Sequence, residues 1–337
     1  MTQVSVRTGA RLHFGLILCP PAEGWEFGGA GLMIDQPGWK LRVTQRTESG
    51  DAARSADAPD LTTGGSAETA DRIARLLQRL RRVHSIPPLH VAVESQIPPH
   101  TGLGSGTQLS LALTAAVSWL VAGHLPPAAE QLAAMAGRSE RSAIGTAGFD
   151  HGGFLVDRGR SASSPRIERL PLPDAWRFLL VRPLNTQGLS GAAEQTWFQG
   201  RREMPGELPG HLASLIEHRL IPAVKAGDAG EFAEALETYG DAAGGFYAAA
   251  QGGTFSHPAI RQLVAVLRER GVRGAAQSSW GPGICIPVAS AAAATELLKE
   301  MPRKIDGCPL ETTISAPLNT GAAITRPAPP EVRSVLA

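Results

Sequence analysis

Lysine is nearly missing from this 337-residue chain: of its 32 basic residues, all but Lys40, Lys225, Lys299 and Lys304 are arginine. Biased base composition in the gene is the plain reading of most of that skew, and the functional reading is that arginine suits two-pronged capture of phosphate or carboxylate. Charge of one sign is not in excess either. The formal net charge is +1, so the usual electrostatic argument for nucleic acid or an anionic membrane as partner is lacking. Cysteine is scarce: Cys19, Cys285 and Cys308 lie far apart with no C-x-x-C spacing. A disulfide framework and a thiolate metal site are therefore not expected, and a reducing compartment fits. The N-terminus alternates polar and apolar residues and has no signal-peptide-like apolar stretch. The longest apolar run, residues 109–122, contains Ser110, Thr114 and Ser118 and falls short of a membrane span. A buried helix is expected there, and a cytoplasmic protein.

What is present is core-forming material. Hydrophobic residues make up 43% and charged residues 19%, enough for two domains of ordinary size. Period-two alternation predicts strands at 4–6, 12–18, 32–34, 39–44 and 89–93, and residues 47–65 read as a polar surface loop. Ile73, Leu76, Leu77 and Leu80 recur at helical spacing within 67–83. Helices are expected from the Gly-rich loop to about Val121 and at 127–137, and a strand at 152–156. A linker is expected at 159–166. After it come a strand at 177–181, helices at 191–198, 211–226, 229–248 and 258–270, and further strands near 273–276, 284–288 and 312–315, with a helix near 291–301. The expected division is residues 1–165 and 166–337, in an α+β architecture.

The strongest local signal is Pro98-Pro99-His100-Thr101-Gly102-Leu103-Gly104-Ser105-Gly106-Thr107-Gln108. A strand leads in and a helix leads out. Three glycines in five positions bring the backbone close to a ligand with N–H groups turned inward, and the helix adds its positive end. Ser105 and Thr107 can add hydroxyl groups. The natural ligand is a phosphate; an ordinary tight turn capping a buried helix is the plainer alternative. No G-K-[ST], G-x-G-x-x-G, G-x-S-x-G or H-E-x-x-H pattern competes. A second loop, Gln277-Ser278-Ser279-Trp280-Gly281-Pro282-Gly283, lies between two strands and reads alone as a hairpin turn. A third segment carries Arg138, Glu140, Arg141, Asp150 and His151 among glycines. There Arg138 and Arg141 could hold phosphate or carboxylate, and Asp150 could hold Mg²⁺ or move a proton; a solvated helix end followed by a turn fits equally well. His13, next to Arg11 and Phe14, is isolated in a strand, where a structural histidine is the commoner case.

At these residues the chain resembles the GHMP-kinase superfamily. Pro98 to Gly106 matches its P-x-x-x-G-L-G-S-S-A type loop, Ser278 to Pro282 resembles its C-terminal glycine motif, and 145–153 stands where the family has G-x-x-S-G-x-D. The resemblance implies an N-terminal α/β phosphate-loop domain, a ferredoxin-like C-terminal α/β sandwich and a site between them. One branch is more similar still. The stretches 11–16, 28–32, 100–109, 148–157 and 188–191 look like β-ribofuranosylaminobenzene 5′-phosphate synthase.

That branch implies a decarboxylating condensation of phosphoribosyl pyrophosphate with 4-aminobenzoate, releasing carbon dioxide and pyrophosphate, at the start of the methanopterin branch of one-carbon metabolism. Mg²⁺ as cofactor and a homodimer are further expectations. Under this resemblance Gly102, Leu103, Gly104, Ser105, Gly106 and Thr107 bind phosphate. Asp150, Arg141 and His13 are catalytic candidates, with Asp150 as metal ligand. Arg11, Gly29, Arg138, Ser279 and Gly281 are substrate-binding candidates, with the aromatic acid expected near 28–31. Two departures stand out. Gly106 replaces the second serine of the kinase loop and removes a Mg–nucleotide contact. Asp150 stands where the synthase branch often has glutamate. An ATP-dependent small-molecule kinase and a non-catalytic phosphate-ligand-binding protein remain the alternatives, and 4-hydroxybenzoate is a conceivable acceptor.

Overall fold

The computed structural model describes residues 3–20, 25–46, 60–123, 128–138, 142–160, 165–186, 188, 191–200 and 203–326. The chain opens with two long antiparallel strands, β1 (Gln3–Ile17) and β2 (Gly28–Gln45). Each unites two strands expected separately. Their register shifts between Thr8 and Ala10 and again between His13 and Leu16, and bulges of this kind bend a strand and re-aim its side chains. Short β3 (Leu61–Thr63) follows, at the end of the stretch expected to be loop; residues 47–59 lie outside the described residues.

Helix α1 (Ala67–Arg81) is capped by Ser66, whose side chain accepts from the Thr69 amide. It buries Ile73, Leu76, Leu77 and Leu80 as the periodicity predicts. β4 (Leu89–Ser95) leads to the Gly-rich loop and α2 (Ser105–Ala122). That 18-residue helix is long and apolar enough to cross a membrane by length and composition, yet 61% of it is buried inside the protein. It packs on β1, and burial all round is what an apolar helix without a polar face requires.

Helices α3 (Ala129–Ala136) and α4 (Ile144–His151) precede β5 (Phe154–Arg160) and β6 (Pro165–Leu170). No helix is expected from the sequence in the Gly-rich stretch that forms α4. Burial of Ile144, Ala147 and Phe149 overrides its weak helix propensity. Of the expected linker at 159–166, Arg160 and Pro165 pair with each other as β5 and β6 run antiparallel; residues 161–164 lie outside the described residues.

Next come β7 (Arg177–Pro183), α5 (Gly191–Gln199), α6 (Leu208–Leu215), a π-helical stretch (Ile216–Leu220), α7 (Ile221–Ala226), α8 (Ala229–Gln251) and α9 (Pro258–Glu269). β8 (Ala276–Gln277), β9 (Ile284–Val288), α10 (Ala291–Glu300), β10 (Lys304–Ile305), β11 (Cys308–Ser315) and β12 (Ala323–Thr325) complete the chain.

Two sheets result. One contains β12-β1-β2-β4-β3 with β5 and β6 on a branch from β2; the other runs β10-β11-β7-β9-β8. The division drawn at 165/166 meets the first residue of β6, which still belongs to the first sheet. β12 returns to that sheet beside β1, with Val6 facing Ile324. This α+β arrangement is the fold class expected from the sequence.

Candidate functional site

The Gly-rich loop takes its shape from backbone contacts. Gly104 is the N-cap of α2 at φ +70°, and no side chain caps this helix. The Ser105 hydroxyl donates to the Ile97 carbonyl at 2.9 Å, and the Trp39 indole donates to the Ser105 carbonyl at 3.0 Å. The amides of residues 103–107 have no acceptor among the described residues, while the loop lines a cavity of about 840 Å³. Open N–H groups at a helix start, facing a cavity, form an anion cradle.

The second Gly-rich loop locks onto the first. The Ser278 hydroxyl donates to the Gly102 carbonyl at 2.8 Å and accepts from the His13 amide at 3.1 Å. The Ser279 amide donates to the His13 carbonyl at 2.7 Å. A side chain on Gly281 would place Cβ 2.1 Å from the Thr101 carbonyl oxygen, so this position must be glycine for the loops to meet. Gly188 joins them, its amide donating to the His100 carbonyl at 2.9 Å; residues 189 and 190 of that similar stretch lie outside the described residues.

His13 sits at the β1 bulge, buried and lining the cavity. Its Nδ1 accepts from the Gly15 amide at 3.3 Å, and its Nε2 lies 3.2 Å from the Ser142 hydroxyl. Ser142 donates in turn to Asp157 at 3.1 Å, and Asp157 also accepts from the Ala143 amide at 2.8 Å and the Gly159 amide at 3.0 Å. Arg11 also lines the cavity and donates through Nη1 to the Ser279 hydroxyl at 3.3 Å. Arg138 stands at the rim, where Nη2 lies 3.3 Å from the place a Cβ on Gly106 would occupy. It donates through Nε to Ser110.

Three expected site residues lie elsewhere. Gly29 does not line the cavity: a Cβ there would sit 2.3 Å from the Gly15 carbonyl oxygen, and glycine serves the close approach of β1 and β2. None of residues 28–31, expected near the aromatic acid, lines this cavity. Gly281 shapes the loop contact from behind the lining. Asp150 is also outside the lining. Its carboxylate accepts from the Ala129 amide at the start of α3, at 2.9 Å, and a carboxylate at a helix N-terminus is a structural cap. Arg141 lies outside the described residues.

Burial raises the Asp150 pKa, and neighbouring Glu130 adds to this, while the Ala129 hydrogen bond opposes it. A carboxyl with a raised folded-state pKa favours the fold at low pH, and that contribution is lost as pH rises through the raised value. Asp150→Asn, which keeps an acceptor for Ala129, is expected to equal or exceed wild-type Tm at pH 7. Its advantage should vanish below the ordinary carboxylate range near ~4. Activity should stay within about twofold, as for substitutions away from the site. Loss of turnover at unchanged Tm would return Asp150 to the site.

Two walls of the cavity escaped sequence reading. Arg72, Arg75, Arg79 and Arg82 form one row along α1 and its C-cap. With Arg11 and Arg138 they place six guanidinium groups on the lining, against one lining carboxylate among the described residues, Glu194 of α5. Their 3-4-3 spacing was legible, but the polar face of an amphipathic helix ordinarily reads as solvated. Another part of the lining is an aromatic wall. The Trp280 ring lies 5.1 Å from Tyr247 and 6.1 Å from Phe198, each edge-on, and all three line the cavity. Trp197 backs the wall, 5.1 Å from Trp280.

Among the described residues no cluster of three or more His, Cys, Asp or Glu suits a metal. A Mg²⁺ ion held by one carboxylate and substrate phosphate oxygens needs no such cluster, and Glu194 is a lining carboxylate that fits that mode.

Residues 68–156 match the family model of the GHMP kinases N terminal domain. The whole chain is similar in fold to homoserine kinase from Cytophaga hutchinsonii, with TM-score 0.61 at 15% identity over 96% of this chain and 97% of that one. It is similarly close to mevalonate diphosphate decarboxylase from Enterococcus faecalis, with TM-score 0.62 at 14% identity over 97% and 99%. At such identities the likeness concerns fold alone.

Sequence relatives go further. The β-ribofuranosylphenol 5′-phosphate synthase of Methanothermobacter thermautotrophicus is 30% identical, over 84% of this chain and 88% of the relative. The protein of the same name from Archaeoglobus fulgidus is 31% identical over 69% and 74%. With these relatives, the GHMP loop and the fold in agreement, the chain belongs to the β-ribofuranosylphenol 5′-phosphate synthase family of enzymes on the GHMP-kinase fold.

Proposed function

We propose that this enzyme joins the ribosyl carbon of phosphoribosyl pyrophosphate to a para-substituted benzoate, releasing pyrophosphate and carbon dioxide. The observation that carries the reading is the pairing, in one cavity, of an open-amide anion cradle and an aromatic wall. A sugar diphosphate requires the first and an aromatic acid the second.

The diphosphate rests on the amides of residues 103–107, with Arg138 at the rim. Arg11, steadied by Ser279, meets the acid's carboxylate beside Trp280. His13, held through Ser142 and Asp157, orients the ring substituent. The ring carbon bearing the carboxylate attacks the anomeric carbon as the carbon–oxygen bond to pyrophosphate breaks. The carbon–carbon bond to the carboxylate then breaks, carbon dioxide leaves, and its electron pair restores the aromatic ring. An amino or hydroxyl group para to the attacking carbon donates electron density to it, so both 4-aminobenzoate and 4-hydroxybenzoate suit the chemistry. The relatives' name, which describes a ribofuranosylphenol product, favours the hydroxyl compound. Glu194 would hold a Mg²⁺ ion brought in with the diphosphate, and that ion would neutralise charge on the leaving group.

The test supplies phosphoribosyl pyrophosphate, Mg²⁺ and carboxyl-labelled 4-aminobenzoate or 4-hydroxybenzoate, and counts labelled carbon dioxide. Release with one acid and not the other names the acceptor. No release with either, together with ADP formed in a parallel ATP arm, would replace this reading with a kinase.

A further inference from the structure

The cationic row on α1 is more than the cradle needs. From Arg72 to Arg82 it extends about 15 Å at the α-helical rise, longer than one phosphate group engages. Its members differ in what holds them. Arg72 is paired with Glu68 at 2.8 Å, and His100 shares the same carboxylate oxygen at 2.7 Å. Arg79 lies against Gly137 and donates to the Met135 carbonyl at 3.4 Å. Arg75 and Arg82, both exposed on the cavity side, make no ion pair among the described residues. Such a concentration of one sign in a concave wall, on a chain of net charge +1, focuses an anion there.

The order of parts across the cavity gives this row its role. On one side, the Gly-rich loop meets the loop that carries Trp280, through Gly102 and Gly281. On the other, it meets the arginines: Arg72 lies 3.4 Å from His100 Nε2, and Arg138 stands beside Gly106. The cradle therefore touches both the loop that carries the aromatic wall and the arginine row, and all three line one cavity. With the leaving diphosphate on the cradle, the exposed arginines of α1 are a further cationic wall of the same cavity for a second phosphate on the sugar.

We propose that Arg75 and Arg82 form a second anion subsite, which takes the terminal phosphate monoester of a sugar phosphate whose diphosphate end occupies the Gly-rich loop. The assignment rests on the proposed function and names the residues that take the substrate's second phosphate. It predicts that a ribosyl donor without a 5′-phosphate binds more weakly, because the subsite's charge is then left facing solvent.

The test is calorimetric titration of the full-length protein with two probes, ribose 5-phosphate and inorganic pyrophosphate. The double variant Arg75→Ala/Arg82→Ala should weaken ribose 5-phosphate about tenfold or more, the scale of lost charge-assisted hydrogen bonds, and leave pyrophosphate within about twofold. Arg75→Lys/Arg82→Lys should recover part of the loss. Gly104→Val, at φ +70° with the Arg11 side chain 3.0 Å from the added Cβ, should do the reverse and weaken pyrophosphate more. Equal weakening of both probes by the double alanine variant would reduce the row to general electrostatics and overturn the subsite, as would no weakening of either. In both cases loss of pyrophosphate in Gly104→Val would leave the cradle standing. Failure of the wild-type protein to bind either probe would overturn the subsite and the cradle together.

Discussion

Alanine at Gly102 is expected to lower turnover about a hundredfold and to destabilise the fold. The residue has φ +79°, and its Cβ would sit 2.1 Å from the Ser278 carbonyl oxygen and 2.8 Å from Gly281 Cα. Both obstacles are backbone, so no rotamer change relieves them. A left-handed non-glycine residue costs about 1–2 kcal/mol. Separating the loops also removes the Ser278 bonds to the Gly102 carbonyl and the His13 amide, at about 1 kcal/mol each. A loss of about 3 kcal/mol is expected from the denaturant midpoint at constant slope. The same movement displaces the cradle from Arg11, His13 and Ser279. A shift of about 1 Å in a reacting geometry lowers turnover about a hundredfold. Wild-type midpoint and turnover in Gly102→Ala would show that the two loops need not touch for the enzyme to work.

Trp280→Ala is expected to raise the KM for the aromatic acid while leaving that for the sugar diphosphate within a small factor. The indole is 7% exposed and is the ring that Trp197, Tyr247 and Phe198 all meet. Removing it deletes the centre of the wall, and a buried Trp→Ala change costs about 3–5 kcal/mol of stability. Trp280→Phe separates the two consequences, since it keeps a stacking face and recovers most of the binding. The measurement is a pair of KM values, each with the other substrate saturating. An unchanged KM for the acid in a folded Trp280→Ala protein would move the acceptor away from this wall.

Local signals were read well where a single segment makes its own structure. The Ile73, Leu76, Leu77, Leu80 stripe makes α1, and the apolar run after the Gly-rich loop makes a core helix. The glycines of 102–106 announced open amides because φ and close approach are properties of the local backbone. Reading went astray where glycine had another cause. At Gly29 it serves strand contact, and within α4 it is tolerated because tertiary burial outweighs propensity. Asp150 looked like a ligand by its place in a motif, yet its carboxylate faces the start of α3, a partner 21 residues away that no spacing rule reveals.

By itself the sequence determined the α+β class, the phosphate loop, the branch it resembles and the presence of Arg11, His13 and Ser279 in chemically useful stretches. Only tertiary structure decided that the arginines of α1 line the same cavity as the loop, and that Phe198, Tyr247 and Trp280, from three distant segments, meet in that lining. Periodicity reports which face of a helix is polar, but not what that face looks upon. The neighbour is set by loop crossings and sheet register, which are contacts between residues far apart in the chain.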